Sequence, residues 1–281
     1  MRHGALDTRS QPPPLPAFNA SATGPSAYPV GGFLLDFLIA IAALLALSLL
    51  CGLLWAVFSG LQLALTSGAA IEPGALLQAL GEPDAIALIW MSLISTGGAA
   101  LLVYWWRHRA TRTEWAASSL AIRRPATWGW ILLAASATFL FGAAITALSQ
   151  RFGVAAEPTN AALIEAAFDQ RPLFLLVFAV LLAPAYEELL FRRVLFGRLW
   201  AAGWPWLGLV LSSAAFALLH ELPGLGSNTW QATLVLWLTY GLMGAVFAGV
   251  YWRTRTLWAA YVAHALNNAA ALALMMLSAG G

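Results

Sequence analysis

Three segments of the chain place ionisable or amide side chains at helical spacing inside otherwise apolar sequence. The first reads Ala185-Tyr186-Glu187-Glu188-Leu189-Leu190-Phe191-Arg192, the second Phe216-Ala217-Leu218-Leu219-His220, and the third His264-Ala265-Leu266-Asn267-Asn268. Glu188 and Arg192 stand four residues apart, so on a helix they share a face, with the acid before the base, the better order for an ion pair. Glu187 is turned about 100° away and has no such local partner. One carboxylate is thereby neutralised and the other is left free to titrate. His264 and Asn268, again four apart, offer an imidazole and an amide on one face. A second chemistry open to this set is zinc ligation by Glu187, His220 and His264. Neither His-Glu-x-x-His nor any compact two-histidine helix is present, however, so the histidines meet only across helices, and the reading favours no metal.

The elements that must carry these residues are set by composition. Apolar residues make up 61% of the 281 residues and charged ones 9%, against about 25% charged in a soluble domain. That excess cannot be hidden in one core and still be covered by polar surface; a bilayer can take it. A crossing helix needs about 20 apolar residues. Seven stretches qualify or come close, at 32–59, 84–106, 127–148, 172–200, 204–220, 229–252 and 257–277. Because lipid leaves backbone groups no other partner, the expected fold is an all-α membrane protein of seven to eight spans. Trp105, Trp106, Trp128, Trp200, Trp204 and Trp252 fall near span ends, where amphipathic rings prefer to sit.

Of the fourteen basic residues, all arginine, twelve fall on one side, nine of them in the tail or alternate connections and Arg192, Arg193 and Arg198 toward the end of the fourth span, and Arg151 and Arg171 fall on the other. By the positive-inside rule the N-terminus is cytoplasmic and, after seven crossings, the C-terminus lies outside, in what reads as a prokaryotic plasma (inner) membrane. The net charge of +2 and the lack of a basic run interleaved with aromatics give no nucleic-acid surface. The single cysteine, Cys51, excludes an internal disulfide and reads as a small buried apolar residue.

Depth in the membrane then brings the three segments together. With the cytoplasmic boundary at Trp200–Trp204 and at Arg255, the helical rise puts Glu187 about 20 Å deep, His220 about 24 Å, His264 about 13 Å and Asn268 about 20 Å. Four polar residues from three helices share one slab, which implies a wet cavity. Glu-Glu-x-x-x-Arg, Phe-x-x-x-His and His-x-x-x-Asn, in this order on separate apolar helices, resemble the CAAX prenyl-protease 2 / CPBP (CAAX protease and bacteriocin-processing) family. The likeness runs from Leu173 to Leu277 and includes Leu257-Trp258. It implies that Glu187 and His220 hold and deprotonate a water, that His264 and Asn268 donate to the oxyanion, and that Glu188 and Arg192 support the site. The reaction so implied is endopeptidase cleavage of a membrane-associated protein or peptide.

Residues 1–30 are expected to be a disordered cytoplasmic tail, 31–170 about three transmembrane helices with their loops, and 171–281 the catalytic core, carried by the last four spans. The rival reading is a non-catalytic scaffold or immunity-type protein that keeps the polar cluster for stability, with a proton-coupled transporter more distant. Several residues carry lesser expectations. Asp36 is placed at the interface, and His3 and His108 in solvent. Tyr186 and Phe216 are read as packing residues, and Asn267 as packing or a donor to a residue of the site. Gly241, Gly244 and Ala248 allow close helix approach. Arg193 must snorkel or find an acid the sequence does not name. Asn160–Gln170 is expected to form a surface helix capped by Asn160, with Ala161, Leu163, Ala166 and Phe168 toward lipid.

Overall fold

The computed structural model describes residues 28–67, 80–224 and 226–279. The expected tail therefore lies outside the described residues up to position 27, as does His3. Among the described residues the regular structure is entirely helical. Helix α1 spans Pro29–Ser67, α2 Ala85–Arg107, α3 Arg112–Ala121, α4 Pro125–Arg151 and α5 Ala161–Gln170. Helix α6 covers Pro172–Ala201, α7 Pro205–His220, α8 Trp230–Thr254 and α9 Leu257–Ala279. Six of these are long and apolar enough to cross a membrane, and α7, with 16 residues, is the shorter seventh. At 1.5 Å per residue α7 reaches only about 24 Å, so its C-terminal His220 ends within the thickness that its neighbours cross.

Helix α6 is central, touching α1, α2, α7, α8 and α9. It departs twice from α geometry, with π turns at Phe178–Leu182 and Leu189–Phe196. Such turns widen the helix locally and recur at functional sites. Between them lies the short α segment Ala183–Glu188, which carries Pro184 in its first turn and ends on the two glutamates.

The basic ends of the helices are tied by acids that sequence spacing does not connect. Asp36, expected at the interface, is fully buried and binds Arg107 and His108 at the end of α2 and Arg198 near the end of α6. His108 Nε2 donates to Asp36 Oδ2 at 2.7 Å, so this histidine is packed inside rather than solvated. Gly32 makes room for the cluster, since a Cβ there would meet Arg198 Nη1 at 2.8 Å. Arg193 finds its acid in Glu114, through two N–H···O contacts of 3.1 Å each, and donates to the His108 carbonyl at 3.2 Å. Glu114 also closes a capping box with Thr111 at the start of α3. A charge in lipid is tolerated when it is paired and turned inward, and both clusters meet that condition.

At the opposite helix ends, Glu221 is buried and accepts from Thr159 and from Asn228 Nδ2, while its carbonyl accepts from Trp237 Nε1 at 2.8 Å. The α5 expectation needs correction. The helix forms, but Asn160 makes no side-chain cap, and Leu163, Ala166 and Phe168 pack against a buried cluster of Ile89, Leu175 and Leu272. The apolar face drawn for lipid covers the protein's own spans instead. Cys51 is buried, as its apolar setting implies.

Candidate active site

Glu187 and Glu188 close the α segment of α6, His220 ends α7, and His264 lies in the first half of α9. These four residues meet. Glu187 Oε2 stands 3.7 Å from His220 Nε2 and 3.7 Å from His264 Nε2, while Glu188 Oε1 lies 2.9 Å from His264 Nδ1. The set has two layers. Glu187, His220 and Asn268 remain partly exposed, whereas Glu188, Arg192 and His264 are buried behind them.

The tautomers follow from the partners. His220 Nδ1 is 2.8 Å from the Phe216 carbonyl, which only accepts, so Nδ1 carries a proton. His264 Nδ1 faces the Glu188 carboxylate and carries one too. In neutral rings both Nε2 atoms then present lone pairs toward one carboxylate oxygen. Three acceptors converging on one point call for a donor between them, and a separation above 3.5 Å is where a bridging water belongs.

Arg192 holds the rear of the site. Its Nε is 3.1 Å from Glu188 Oε2, and Nη2 donates to the Gly244 carbonyl at 3.4 Å. Close approach of α8 makes that carbonyl available, because a Cβ on Gly244 would meet the Ser213 Cα at 2.9 Å. Phenylalanines surround the guanidinium, with Phe216 at 4.5 Å, Phe247 at 5.5 Å and Phe191 at 5.7 Å. The same rings position the imidazoles. Phe216 packs on His220 with centroids 4.1 Å apart, and Phe247 stacks on His264 at 4.6 Å. Phe216 is thus a packing residue whose neighbours are the ionic groups of the site. Phe247 and Tyr240, the latter 4.6 Å from the His220 ring, carried no sequence signal beyond their place in an apolar span.

Asn268 lies one turn beyond His264 on α9, and its hydrogen bonds run to residues other than Glu187, His220 and His264. Its Nδ2 donates to the Ala179 carbonyl at 2.9 Å, and its Oδ1 accepts from Asn267 Nδ2 at 3.4 Å. Pro184 accounts for the first bond. In the π register Ala183 N donates to the Phe178 carbonyl, and the next donor in that register would be residue 184, bonding Ala179. Proline has no N–H, so the carbonyl is open to the Asn268 amide. One of the two amide hydrogens remains for other use.

Comparison with known proteins agrees with the motifs. Residues 169–270 match the family described as type II CAAX prenyl endopeptidase Rce1-like. The match is to a family that the three motifs also resemble, and it is confined to this region. YdiL of Bacillus subtilis (strain 168), by its name a candidate membrane peptidase, is 30% identical over 117 residues, which cover 42% of this chain and 43% of that protein. The chain thus spans less than half the length of the curated relative it matches. No solved structure matches the chain. The CPBP match takes in Glu187, Glu188, Arg192, His220, His264 and Asn268, and leaves α1 to α4 outside it.

Helices α2 and α3, outside the matched region, also help to wall a cavity beside the cluster. A cavity of about 540 Å³ runs from Trp105, Trp115 and Trp258 to Glu188, with Glu114 and Arg193 in its wall. It borders Glu188 in the rear layer of the cluster and not Glu187. As placed, the described residues form no three-ligand metal group. Two ligands of one tetrahedral zinc stand about 3.3 Å apart, given bonds of about 2.0–2.1 Å, so both 3.7 Å separations would have to contract.

Proposed function

We propose that the chain is an intramembrane endopeptidase that hydrolyses a peptide bond of a membrane-associated protein or peptide with a water activated by Glu187 and His220. The carrying observation is the convergence of Glu187 Oε2, His220 Nε2 and His264 Nε2, with both Nδ1 protons already committed. A water among them donates to Glu187 and His220 and keeps a lone pair for a substrate carbonyl carbon. As that lone pair forms the C–O bond, one water proton passes to Glu187 and the carbonyl oxygen becomes an oxyanion. In this step the water is held by Glu187 and His220 alone, while His264, having taken a proton from solvent onto Nε2 to become an imidazolium, donates to that oxyanion together with the remaining Asn268 N–H. Collapse breaks the C–N bond, and the proton held by Glu187 goes to the leaving amine.

Glu188 and Arg192 act one step back. The carboxylate aligns His264 through Nδ1 and the guanidinium fixes the carboxylate, so both are positioning residues. No metal enters this scheme.

The test uses purified protein, a cleavable peptide presented in detergent or liposomes, and a melting curve. Glu187→Gln is expected to abolish turnover with nearly unchanged melting, and prolonged chelation to leave wild-type turnover unchanged. Turnover by well-folded Glu187→Gln protein would leave the scaffold reading standing. One zinc per chain, lost together with activity, would replace the metal-free scheme.

A further inference from the structure

A cavity of about 700 Å³ lies between α4 and α8 and shares no residue with the catalytic cluster. Arg124, immediately before α4, and Arg253 and Arg255, at the end of α8, stand at its mouth, while Leu133, Ala137 and Val246 line its depth. From Arg124 to Ala137 the helix rises about 20 Å, so the cavity is basic at one end and apolar over the rest. We propose that it is a binding site for an anionic phospholipid, with the phosphate against Arg124, Arg253 and Arg255 and one acyl chain along the α4–α8 groove.

Four observations carry this. No carboxylate lines the cavity, and among the described residues none of the three arginines is in an ion pair. Arg255 Nη1 is buried and has no hydrogen-bond partner in the protein, a donor whose acceptor must come from elsewhere. The guanidiniums of Arg253 and Arg255 lie over the Trp130 and Trp200 rings at 5.4 and 4.7 Å. Such stacking holds the cationic faces and leaves the N–H edges free for phosphate oxygens. Finally, Arg255 adopts φ 61°, a left-handed conformation at a helix C-cap where glycine is the usual residue. The chain keeps a cation at a position whose backbone favours no side chain. Basic pockets between membrane helices recognise lipid headgroups by this chemistry, and the apolar depth fits a chain that inorganic phosphate lacks.

Purified full-length protein in neutral detergent is titrated with dioleoylphosphatidylglycerol, dioleoylphosphatidylcholine or inorganic phosphate, and read by native mass spectrometry and thermal melting. Phosphatidylglycerol is expected to stay bound and to raise the melting temperature, with phosphatidylcholine and phosphate doing neither. Arg124→Gln and Arg253→Gln, both at exposed positions, should each weaken phosphatidylglycerol binding about fivefold, the factor that corresponds to about 1 kcal/mol per arginine. Arg255→Gly relieves the left-handed backbone, so it should melt no lower than wild type and lose affinity equally. If that variant does not fold, Arg124→Gln and Arg253→Gln carry the test. Equal retention of both lipids, an unaltered affinity in the Arg124→Gln/Arg253→Gln double variant, or a full stabilisation by phosphate alone would each overturn the proposal.

Discussion

Replacing Glu188 by glutamine leaves the Arg192 guanidinium buried without its ion-pair partner and turns an acceptor for His264 Nδ1 into a neutral amide. Breaking a buried pair from one side costs about 3–5 kcal/mol, so Glu188→Gln should melt well below wild type as well as lose activity. Glu187 sits at the partly exposed front and has no guanidinium to leave behind, so its glutamine variant should lose activity alone. Equal destabilisation of the two would contradict the division of roles. Asn268 combines both kinds of effect. Asn268→Ala removes the donor to the Ala179 carbonyl opposite Pro184, for a loss of about 1–3 kcal/mol. If its second N–H serves the oxyanion, kcat per folded molecule should also fall about 10²–10³-fold with KM little changed. A folded Asn268→Ala enzyme with near-normal kcat would reduce the residue to its bond with Ala179. Asn267 reaches the site only through its long bond to Asn268 Oδ1, and Asn267→Ala should be the milder change.

At the scale of elements, the ionic ties show where sequence reasoning stops. The pairing of Glu188 with Arg192 is readable because both lie on one helix four residues apart, and the meeting of α6, α7 and α9 because depth follows from helical rise. The partners of Arg193 and Asp36 lie 79 and 71–162 residues away, and periodicity carries no information across that distance. A signal did exist, since an acid in an apolar span must be paired inward, and Thr111-x-x-Glu114 marks a helix start. The π turns of α6 were invisible, because nothing local distinguishes them until Pro184 and its cross-helix acceptor are placed. His108, just beyond α2, gives this cluster a measurable pH dependence. Burial, with Arg198 and Arg193 nearby, holds its pKa below the ordinary 6.5 and outweighs the pull of Asp36. The unfolded chain therefore takes up the proton first as pH falls. The contribution to stability is complete above pH 6.5 and is lost as pH drops below it toward the histidine's own lower value. His108→Gln, still able to donate to Asp36, should flatten that slope in melting curves between about pH 7.5 and 5.5. An unchanged slope would mean that other groups dominate the window.

Across the whole molecule, the ion pairs bear on topology independently of composition. Asp36 near the start of α1 is bound to the end of α2 and to the last turns of α6, and Glu114 of α3 is bound to α6. These helix ends therefore share one side, together with Arg124 before α4 and with Arg253 and Arg255 at the end of α8, at the mouth of one cavity. The ends that carry Glu157, Thr159 and Glu221 gather on the other side, joined through Asn228. This alternation requires that α7, despite its 16 residues, carries the chain across. The positive-inside rule, applied to these seven crossings, leads us to propose that the start of α1 is cytoplasmic and the end of α9 outside. A reporter active only outside the cytoplasm should therefore work when fused after Gly281, and a cytoplasmic reporter inserted between Arg109 and Arg112 should work in its own compartment. Activity of the cytoplasmic reporter at both positions would contradict this crossing count and the side to which Glu221 and Asn228 are tied. Activity of the outside reporter at the first position with silence of the cytoplasmic one at the second would instead point to an error in the early crossings, since the arginine clusters would then face outward.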